Sequence, residues 1–275
     1  MPQVAVGDIS LYYERGGSPS GAPVLFISGT GGDLRDEPSI FASPLARDVD
    51  LLAYDQRGLG RSDKPDVAYS MADYGRDAVG LLDAVGWDRC GVVGVSFGGM
   101  VAQELALLAP DRVSRLALCC TSSGGAGGAS YPLHELEDLP EDERGRRSLS
   151  LIDSRWDDEW QAANPEIITL VRERGKAGAR DPAAAGGARR QLEARAGHDT
   201  YSRLPRLSLP VLVCAGRYDL IAPLANSEAI VAQIPNAILS VFDGGHAFLF
   251  QDPTAWRAIL TFLRGKSDGN GSSTD

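Results

Sequence analysis

The sequence predicts an α/β fold, in which helices cover an open and mostly parallel sheet. Short apolar runs that are nearly continuous alternate with longer segments of helical spacing, and strands buried on both faces of a parallel sheet have this composition. One such run passes through a glycine-rich turn directly into a helical segment at residues 90–108. At 275 residues the chain suits one large domain with an insertion.

Eight strands are expected, and most of those from the fourth onward lack the alternation of a half-exposed strand. They are predicted at 3–6, 9–14, 24–28, 50–54, 91–95, 115–120, 211–215 and 238–242. Helices are predicted near 70–85, 97–109, 224–234 and 253–264. The last two are amphipathic and begin near proline, as expected of helices that cover a sheet.

Residues 94–98, with the sequence Gly-Val-Ser-Phe-Gly, have the form of a nucleophile elbow, a strained strand-to-helix turn that exposes a reactive serine. The residues two before and two after the serine must be small, and Gly94 and Gly98 meet this requirement. Ser96 is therefore the candidate nucleophile. The N–H of Phe97, at the start of the helix, is a candidate oxyanion donor. In a chain with 32 glycines the pattern also fits an ordinary turn, so the assignment needs further residues.

The chain has three histidines, and His246 follows a strand-like run at 237–242. A catalytic base in an open α/β sheet belongs on such a loop. Asp219 follows the buried-strand pattern at 210–216 and could orient the imidazole. Taken singly, Asp219 could be a turn-capping carboxylate and His246 a loop histidine satisfied by backbone. The order Ser96, Asp219, His246 differs from the orders of chymotrypsin and subtilisin and predicts a third arrangement of the same triad.

Four segments together resemble the successive signatures of the α/β-hydrolase superfamily. They are residues 55–65, 94–99, 216–219 and 244–246, and the resemblance extends from about residue 4 to residue 265. Within the superfamily the chain is most similar to the esterase and lactonase branch typified by 3-oxoadipate enol-lactonase and aclacinomycin methylesterase. The resemblance implies the α/β-hydrolase fold, an eight-stranded mostly parallel sheet flanked by helices, with an inserted helical cap.

The loop after the third strand departs from the superfamily pattern. Many relatives have His-Gly where this chain has Ser28 and Gly29. By analogy with those relatives, the backbone N–H of Thr30 is the second oxyanion donor, and Gly29 is assigned to the substrate-binding site. The alternative interpretation of residues 29–32 is a flexible surface turn. Arg57 could pair with an anionic substrate, but the resemblance favours a structural role for the turn at 55–58.

The pattern changes between residues 122 and 207. We predict two parts of a core at 1–122 and 208–265, a helical cap at 123–207 and a disordered tail at 266–275. Glycine-dense residues 124–128 are interpreted as a flexible hinge. Helical segments are predicted at 135–151 and 166–174, and a second break at 180–187.

The cap is expected to determine substrate selectivity. Trp156 and Trp160 could lie on one side of a helix, with Trp156 as a candidate substrate-binding residue and packing against the core as the alternative. His198 is interpreted as a cap-anchoring or exposed histidine rather than a second base, and His134 is a weaker candidate still.

Composition excludes several function classes. The net charge of −10 argues against binding to nucleic acid. Neither a membrane-length apolar stretch nor a signal peptide is recognisable, so a cytoplasmic protein without membrane association is the default expectation. Cysteines 90, 119, 120 and 214 lie in or beside apolar runs without metal-ligand spacing, which predicts buried thiols. Neither a metal nor a cofactor is expected, and homodimer formation is left open.

The predicted activity is hydrolysis of a small-molecule ester or lactone by a Ser-His-Asp triad through an acyl-enzyme. Cofactor-free perhydrolysis and C–C bond hydrolysis use the same triad and stay open as alternatives. A non-catalytic binding protein on the same scaffold is an alternative of another class. Epoxide and haloalkane hydrolysis are disfavoured, because both need a carboxylate at the position of Ser96.

Overall fold

A computed structural model describes residues 2–169 and 182–265 of the chain. Within these residues, eight strands form one sheet with the spatial order β1-β2-β4-β3-β5-β6-β7-β8. The strands are β1 Gln3–Val6, β2 Ile9–Gly17, β3 Ala22–Ile27, β4 Val49–Tyr54, β5 Cys90–Val95, β6 Val113–Cys119, β7 Val211–Gly216 and β8 Ala237–Phe242. Only β2 runs antiparallel to its neighbours β1 and β4, and the pairs from β4 to β8 are parallel. The predicted fold class is confirmed.

The helices are named in chain order. They are α1 Met71–Ala84, α2 Phe97–Leu108, α3 Glu141–Ile152, α4 Asp158–Ala163, α5 Pro182–Ala196, α6 Leu224–Gln233, α7 Phe248–Gln251 and α8 Ala255–Leu263. A reciprocal capping box begins α1, since the Ser70 side chain accepts from the Asp73 N–H and the Asp73 carboxylate accepts from the Ser70 N–H.

Apolar side chains cover both faces of the sheet. One core contains Tyr74 of α1, Leu105 of α2 and Ile230 of α6, and the core on the opposite face contains Trp256 and Ile259 of α8. Every residue of β4 and β7 is buried, which explains why these strands have no alternating pattern in the sequence. Helices therefore pack on both faces of the strands that end at the candidate site.

The segment between β6 and β7, residues 120–210, will be called the β6–β7 segment. The helix predicted at 135–151 is wrong in its extent, because a 3₁₀ helix at Leu133–Asp138 ends before Pro140 and α3 starts after it. Proline keeps the preceding residue extended, so Leu139 interrupts the helix. The prediction for 166–174 holds as far as residue 169, and 170–174 lie outside the described residues.

The break predicted at 180–187 is also wrong over the residues that the structure describes, because 182–187 belong to α5. Pro182 is the first residue of that helix, a position that suits proline. Gly187 packs so closely on another turn that a Cβ there would lie 1.9 Å from the Gly58 oxygen. Gly187, one of the two glycines in the predicted break, therefore permits contact between α5 and the turn of Gly58.

The tail predicted at 266–275 lies outside the described residues, and the division into core and cap stays a prediction. Among the helices that the structure describes, none is long and apolar enough to cross a membrane.

Candidate active site

Ser96 occupies the sharp turn between β5 and α2, with φ 54° and ψ −116°. A non-glycine residue seldom adopts positive φ, and such strain concentrates at functional sites. A Cβ on Gly94 would lie 2.4 Å from the Gly98 oxygen, and one on Gly98 would lie 2.1 Å from the Ile27 oxygen. Both glycines are therefore required by close backbone approach, for the steric reason that the sequence suggested.

Three side chains from separate strand ends form a continuous hydrogen-bonded chain. His246 Nε2 lies 2.9 Å from Ser96 Oγ, and His246 Nδ1 lies 2.7 Å from Asp219 Oδ2. Ser96 is 8% exposed and Asp219 is 3% exposed, so the network is largely shielded from water. The three residues singled out in the sequence thus come together in the order expected of a nucleophile, a base and its orienting acid.

The Asp219 carboxylate has a well-defined orientation. Its Oδ1 accepts hydrogen bonds from the N–H groups of Ile221 at 2.8 Å and Ala222 at 2.9 Å. This arrangement leaves Oδ2 for His246. A carboxylate held by two amides can orient the imidazole without moving itself.

The loop that carries His246 is held by the β6–β7 segment. The His246 N–H donates to the Ile152 carbonyl at 2.6 Å. A Cβ on Gly245 would lie 2.0 Å from that same oxygen, and one on Gly216 would lie 2.0 Å from the Gly245 oxygen. The glycine beside the histidine is required because three backbone segments meet there, a contact that sequence reasoning missed.

The candidate oxyanion donors lie beside the serine. Within residues 2–169 and 182–265, the N–H groups of Thr30 and Phe97 have no hydrogen-bond acceptor. A Cβ on Gly29 would lie 3.5 Å from the Ser96 Cβ, so this loop packs directly against the nucleophile. The Phe97 side chain is fully buried and meets Tyr74 edge-on at 4.9 Å, leaving only its backbone for the site.

Two glutamines that sequence reasoning missed hold the loop at 28–32. Gln56 Nε2 donates to the Ser28 carbonyl at 2.9 Å and to Ser28 Oγ at 3.3 Å. Gln191 of α5, which is fully buried, accepts the Gly31 N–H through Oε1 at 2.8 Å. Ser28 therefore lies in a hydrogen-bonded loop. The spacing of these residues along the chain, 28 and 160 positions, left no local signal.

A cavity of about 230 Å³ lies between α2, the start of the β6–β7 segment and α5. We call it the α5 cavity, and its lining includes Met100, Ser122, Tyr131, Leu192, Arg195 and His198. Burial lowers the pKa of His198 to about 4, so the ring is neutral at pH 7. The Ser122 backbone lies near the ring but outside hydrogen-bonding geometry. His198 thus is buried rather than exposed, and His134 is an exposed residue at the same cavity.

The remaining sequence-predicted residues lie elsewhere. The sequence suggested that Trp156 lies in a helix, but it precedes α4. Its ring stacks on that of Trp160, with 5.0 Å between the ring centroids. Among the described residues that line the α5 cavity, Trp156 does not occur, and its role in substrate binding stays a prediction. Arg57 forms a buried bidentate ion pair with Asp77 at 2.6 and 2.7 Å, in agreement with the structural role favoured for it.

Residues 124–128, interpreted from sequence as a flexible hinge, form a packed turn. Gly124, Gly125 and Gly128 have positive φ. A Cβ on Gly124 would lie 1.8 Å from the His198 oxygen, and Gly124 also pairs with Asp199 in an isolated β-bridge. Close packing is therefore the reason for glycine here, and movement of the segment stays a prediction.

Metal-binding clusters of three or more His, Cys, Asp or Glu residues are absent from the part of the chain that the structure describes. The four cysteines are all buried, and burial raises the pKa of the Cys90 thiol to about 12. A thiol held protonated in this way is a poor nucleophile. The hydroxyl of Ser96, beside a base, is the better candidate.

The chain is similar to known proteins in its family and its fold. A family model described as the alpha/beta hydrolase fold matches residues 22–253. The chain is 30% identical, over 98% of its own length and 100% of the relative's, to a protein named putative carbamate hydrolase RutD from Azorhizobium caulinodans.

Two solved structures are similar over almost the whole chain. The enol-lactonase of Burkholderia xenovorans LB400 has a TM-score of 0.78 at 22% identity, with 96% of this chain and 100% of that chain covered. Est816, described as an N-acyl homoserine lactone degrading enzyme, has a TM-score of 0.70 at 27% identity, with 96% and 99% covered. At 22% identity the first likeness shows the fold alone.

Proposed function

The chain belongs to the α/β-hydrolase family, and from that premise we propose that it is a serine hydrolase that cleaves a carboxylic ester or lactone of a small-to-medium organic molecule. The proposal assigns Ser96 as nucleophile, His246 as base and Asp219 as the acid that orients it. The backbone N–H groups of Thr30 and Phe97 are assigned to the oxyanion hole.

The observation that carries this proposal is the hydrogen-bonded relay from Ser96 Oγ through both ring nitrogens of His246 to Asp219 Oδ2. A serine hydroxyl is a weak nucleophile unless an adjacent base removes its proton as it attacks. Because Asp219 accepts from Nδ1–H, the neutral imidazole has its lone pair on Nε2, which faces Ser96.

The reaction proceeds in two halves. His246 Nε2 takes the Ser96 proton while Oγ attacks the carbonyl carbon, and the two backbone amides stabilise the tetrahedral oxyanion. The C–O bond breaks, His246 returns the proton to the departing alkoxide, and an acyl-enzyme is left. His246 then takes a proton from water while the water oxygen attacks the acyl carbon. The bond between that carbon and Ser96 Oγ breaks, His246 returns the proton to Oγ, and the carboxylic acid leaves with the serine hydroxyl restored.

The test uses Ser96→Ala with turnover of a p-nitrophenyl ester and labelling by a fluorophosphonate. We expect loss of both labelling and turnover with the fold intact, since triad deletions typically cost on the order of a millionfold. Ser227→Ala is a matched control, because Ser227 is fully buried and its hydroxyl has no hydrogen-bond partner among the described residues. Retention of more than about one thousandth of the rate in Ser96→Ala contradicts the proposal.

A second candidate reaction, hydrolysis of a carbamate, is favoured by one observation. The relative that aligns with nearly the whole chain is named a putative carbamate hydrolase. A carbamate has a carbonyl that the same serine could attack, so Ser96→Ala does not separate the two reactions. Rates on a matched ester and carbamate with the same leaving group do, and a higher kcat/KM on the carbamate favours the second reaction.

The alternative of a non-catalytic binding protein predicts a different result. Such a protein gives neither a burst of p-nitrophenol nor covalent labelling of Ser96. Both assays therefore separate binding from catalysis before the physiological substrate is known.

A further inference from the structure

Arg195 of α5 is a buried cation at the wall of the α5 cavity. The residue is 7% exposed, and its Nε and Nη2 atoms have no hydrogen-bond partner among the residues that the structure describes. A guanidinium has five donors in a planar fork, and a buried charge is ordinarily paired. Burial lowers the pKa of Arg195 to about 10, which still leaves it charged at pH 7.

The neighbouring titratable groups do not neutralise this charge by contact. His198, at the same cavity, is neutral. Asp219 attracts the Arg195 charge electrostatically without a hydrogen bond. Its Oδ1 accepts from two amides and its Oδ2 accepts from His246. Glu104, which lies near His198, forms a bidentate ion pair with Arg203.

The position of Arg195 on α5 connects the cavity to the candidate oxyanion loop. Gln191 lies one helical turn before Arg195, so the two side chains share a face of α5. Gln191 accepts the N–H of Gly31, next to Thr30, and its own Nε2 is buried without a partner among the described residues. Met100, on the cavity wall, lies one turn beyond Ser96 in α2. The lining, as far as the structure describes it, contains none of Ser96, Asp219 and His246, but α2 and α5 connect the cavity to the turn of Ser96 and to the candidate oxyanion loop.

We propose that the α5 cavity binds a carboxylate of the substrate through the Arg195 guanidinium, so that the ester or lactone cleaved at Ser96 carries a second, free carboxylate. This inference rests on the function proposed above and adds a substrate class to it. A carboxylate matches the guanidinium fork with two parallel hydrogen bonds. One cation and an otherwise largely apolar wall, which includes Leu192 and Met100, suit a single negative charge better than a phosphate dianion.

The size of the cavity agrees with a small acyl group. Sites for drug-sized ligands have volumes of about 300–1,000 Å³, and the α5 cavity has about 230 Å³. A short acyl chain that ends in a carboxylate can fill such a space, whereas a bulky aromatic ester needs additional room.

The test compares mono-p-nitrophenyl esters of the straight-chain diacids from succinate to suberate with their neutral methyl-ester counterparts. For at least one chain length, wild-type protein is expected to prefer the free acid by about ten- to hundredfold in kcat/KM, the range of a charge-assisted hydrogen-bonded pair. Arg195→Met should abolish this preference, read as the ratio of kcat/KM on the free acid to kcat/KM on the neutral ester of the same chain length, so that a general loss of activity does not imitate it. Arg189→Met is the matched control, because Arg189 lies on the same helix with a side chain 77% exposed.

A second measurement does not depend on catalysis. In the Ser96→Ala protein, one of the same diacids should raise Tm at constant ionic strength, while the corresponding neutral diamide and acetate should not. Adding Arg195→Met should remove the shift. If no ester is cleaved, that result contradicts only the proposed function. The diacid-dependent change in Tm then decides whether Arg195 binds a carboxylate.

Two results overturn the inference. One is an equal or higher kcat/KM on the neutral esters at every chain length in wild-type protein, together with no diacid-dependent change in Tm. The other is a preference for the free acids that survives in Arg195→Met. If Arg195→Met does not fold, the wild-type substrate preference and the diacid shift in Ser96→Ala still decide between support and refutation.

Discussion

Replacing Asp219 with asparagine tests whether this residue orients His246, because the two oxygens of the carboxylate have different partners. Oδ1 accepts from the amides of Ile221 and Ala222, and Oδ2 accepts from His246 Nδ1. In Asp219→Asn the side-chain oxygen should keep the two amides as donors. The NH₂ group then faces Nδ1 and donates to it, which places the ring proton on Nε2, where it cannot take the proton of Ser96.

The opposite orientation of the asparagine is unfavourable. It would set the NH₂ group against two N–H donors in a site that is 3% exposed. Leaving both amides without an acceptor costs about 1–3 kcal/mol each, or roughly 2–6 kcal/mol together. The unreactive tautomer should therefore dominate, and kcat should fall by about ten-thousandfold, equivalent to about 5.4 kcal/mol at 1.36 kcal/mol per tenfold.

The assay is steady-state turnover of a p-nitrophenyl ester, with Tm measured to show that the fold persists. Asp50→Asn is the control, because Asp50 is also a buried carboxylate but pairs with Arg15. It lies in β4, which is separated from β7 by β3, β5 and β6 in the sheet. Asp50→Asn should leave kcat within about threefold. A loss of less than tenfold in Asp219→Asn would falsify the tautomer argument and mean that another group orients His246.

Two further predictions concern stability. Asp77→Asn leaves the buried guanidinium of Arg57 without its partner and should lower the free energy of unfolding by about 3–5 kcal/mol, measured from urea denaturation; a loss under about 1 kcal/mol contradicts a buried ion pair. Gly124→Ala places a Cβ 1.8 Å from the His198 oxygen, whereas Gly86 has a similar positive φ and open space around it. Gly124→Ala should therefore be less stable than Gly86→Ala by about 1–3 kcal/mol, and equal Tm values for the two variants would remove the packing explanation.

Most of the fold could be predicted because its signals are local. A parallel strand buried on both faces is apolar along its whole length, so β4 and β7 were recognisable without knowledge of their partners. The end of β2 was not, because the strand was predicted to end at residue 14. Gly16 and Gly17 pair with Leu51 and Asp50 of β4, and the strand continues to Gly17.

The candidate site likewise contains some residues that local sequence could predict and others that it could not. Ser96 and its flanking glycines could be found because the strain of one turn determines the residues two positions away on either side. Gln191 and Arg195 could not, since they lie on a helix whose polar and apolar residues are not clearly separated. Gln191 matters because it contacts a loop 160 residues earlier, and Arg195 matters because the fold places it at the wall of the α5 cavity. Long-range contacts of this kind leave no mark on the local pattern.

The β6–β7 segment contributes to both halves of the candidate site. On one side its backbone holds the loops of the acid and the base, since the Leu151 carbonyl accepts from Leu220 at 3.1 Å and the Ile152 carbonyl accepts from His246 at 2.6 Å. On the other side, Gln191 accepts from Gly31 in the loop of the candidate oxyanion donors. If the whole segment moved as a rigid unit, these hydrogen bonds would break. The loops that carry the candidate acid, base and oxyanion donors would then lose their positions. Movement that admits substrate therefore has to be local, in parts of the segment that do not contact residues 31, 220 or 246.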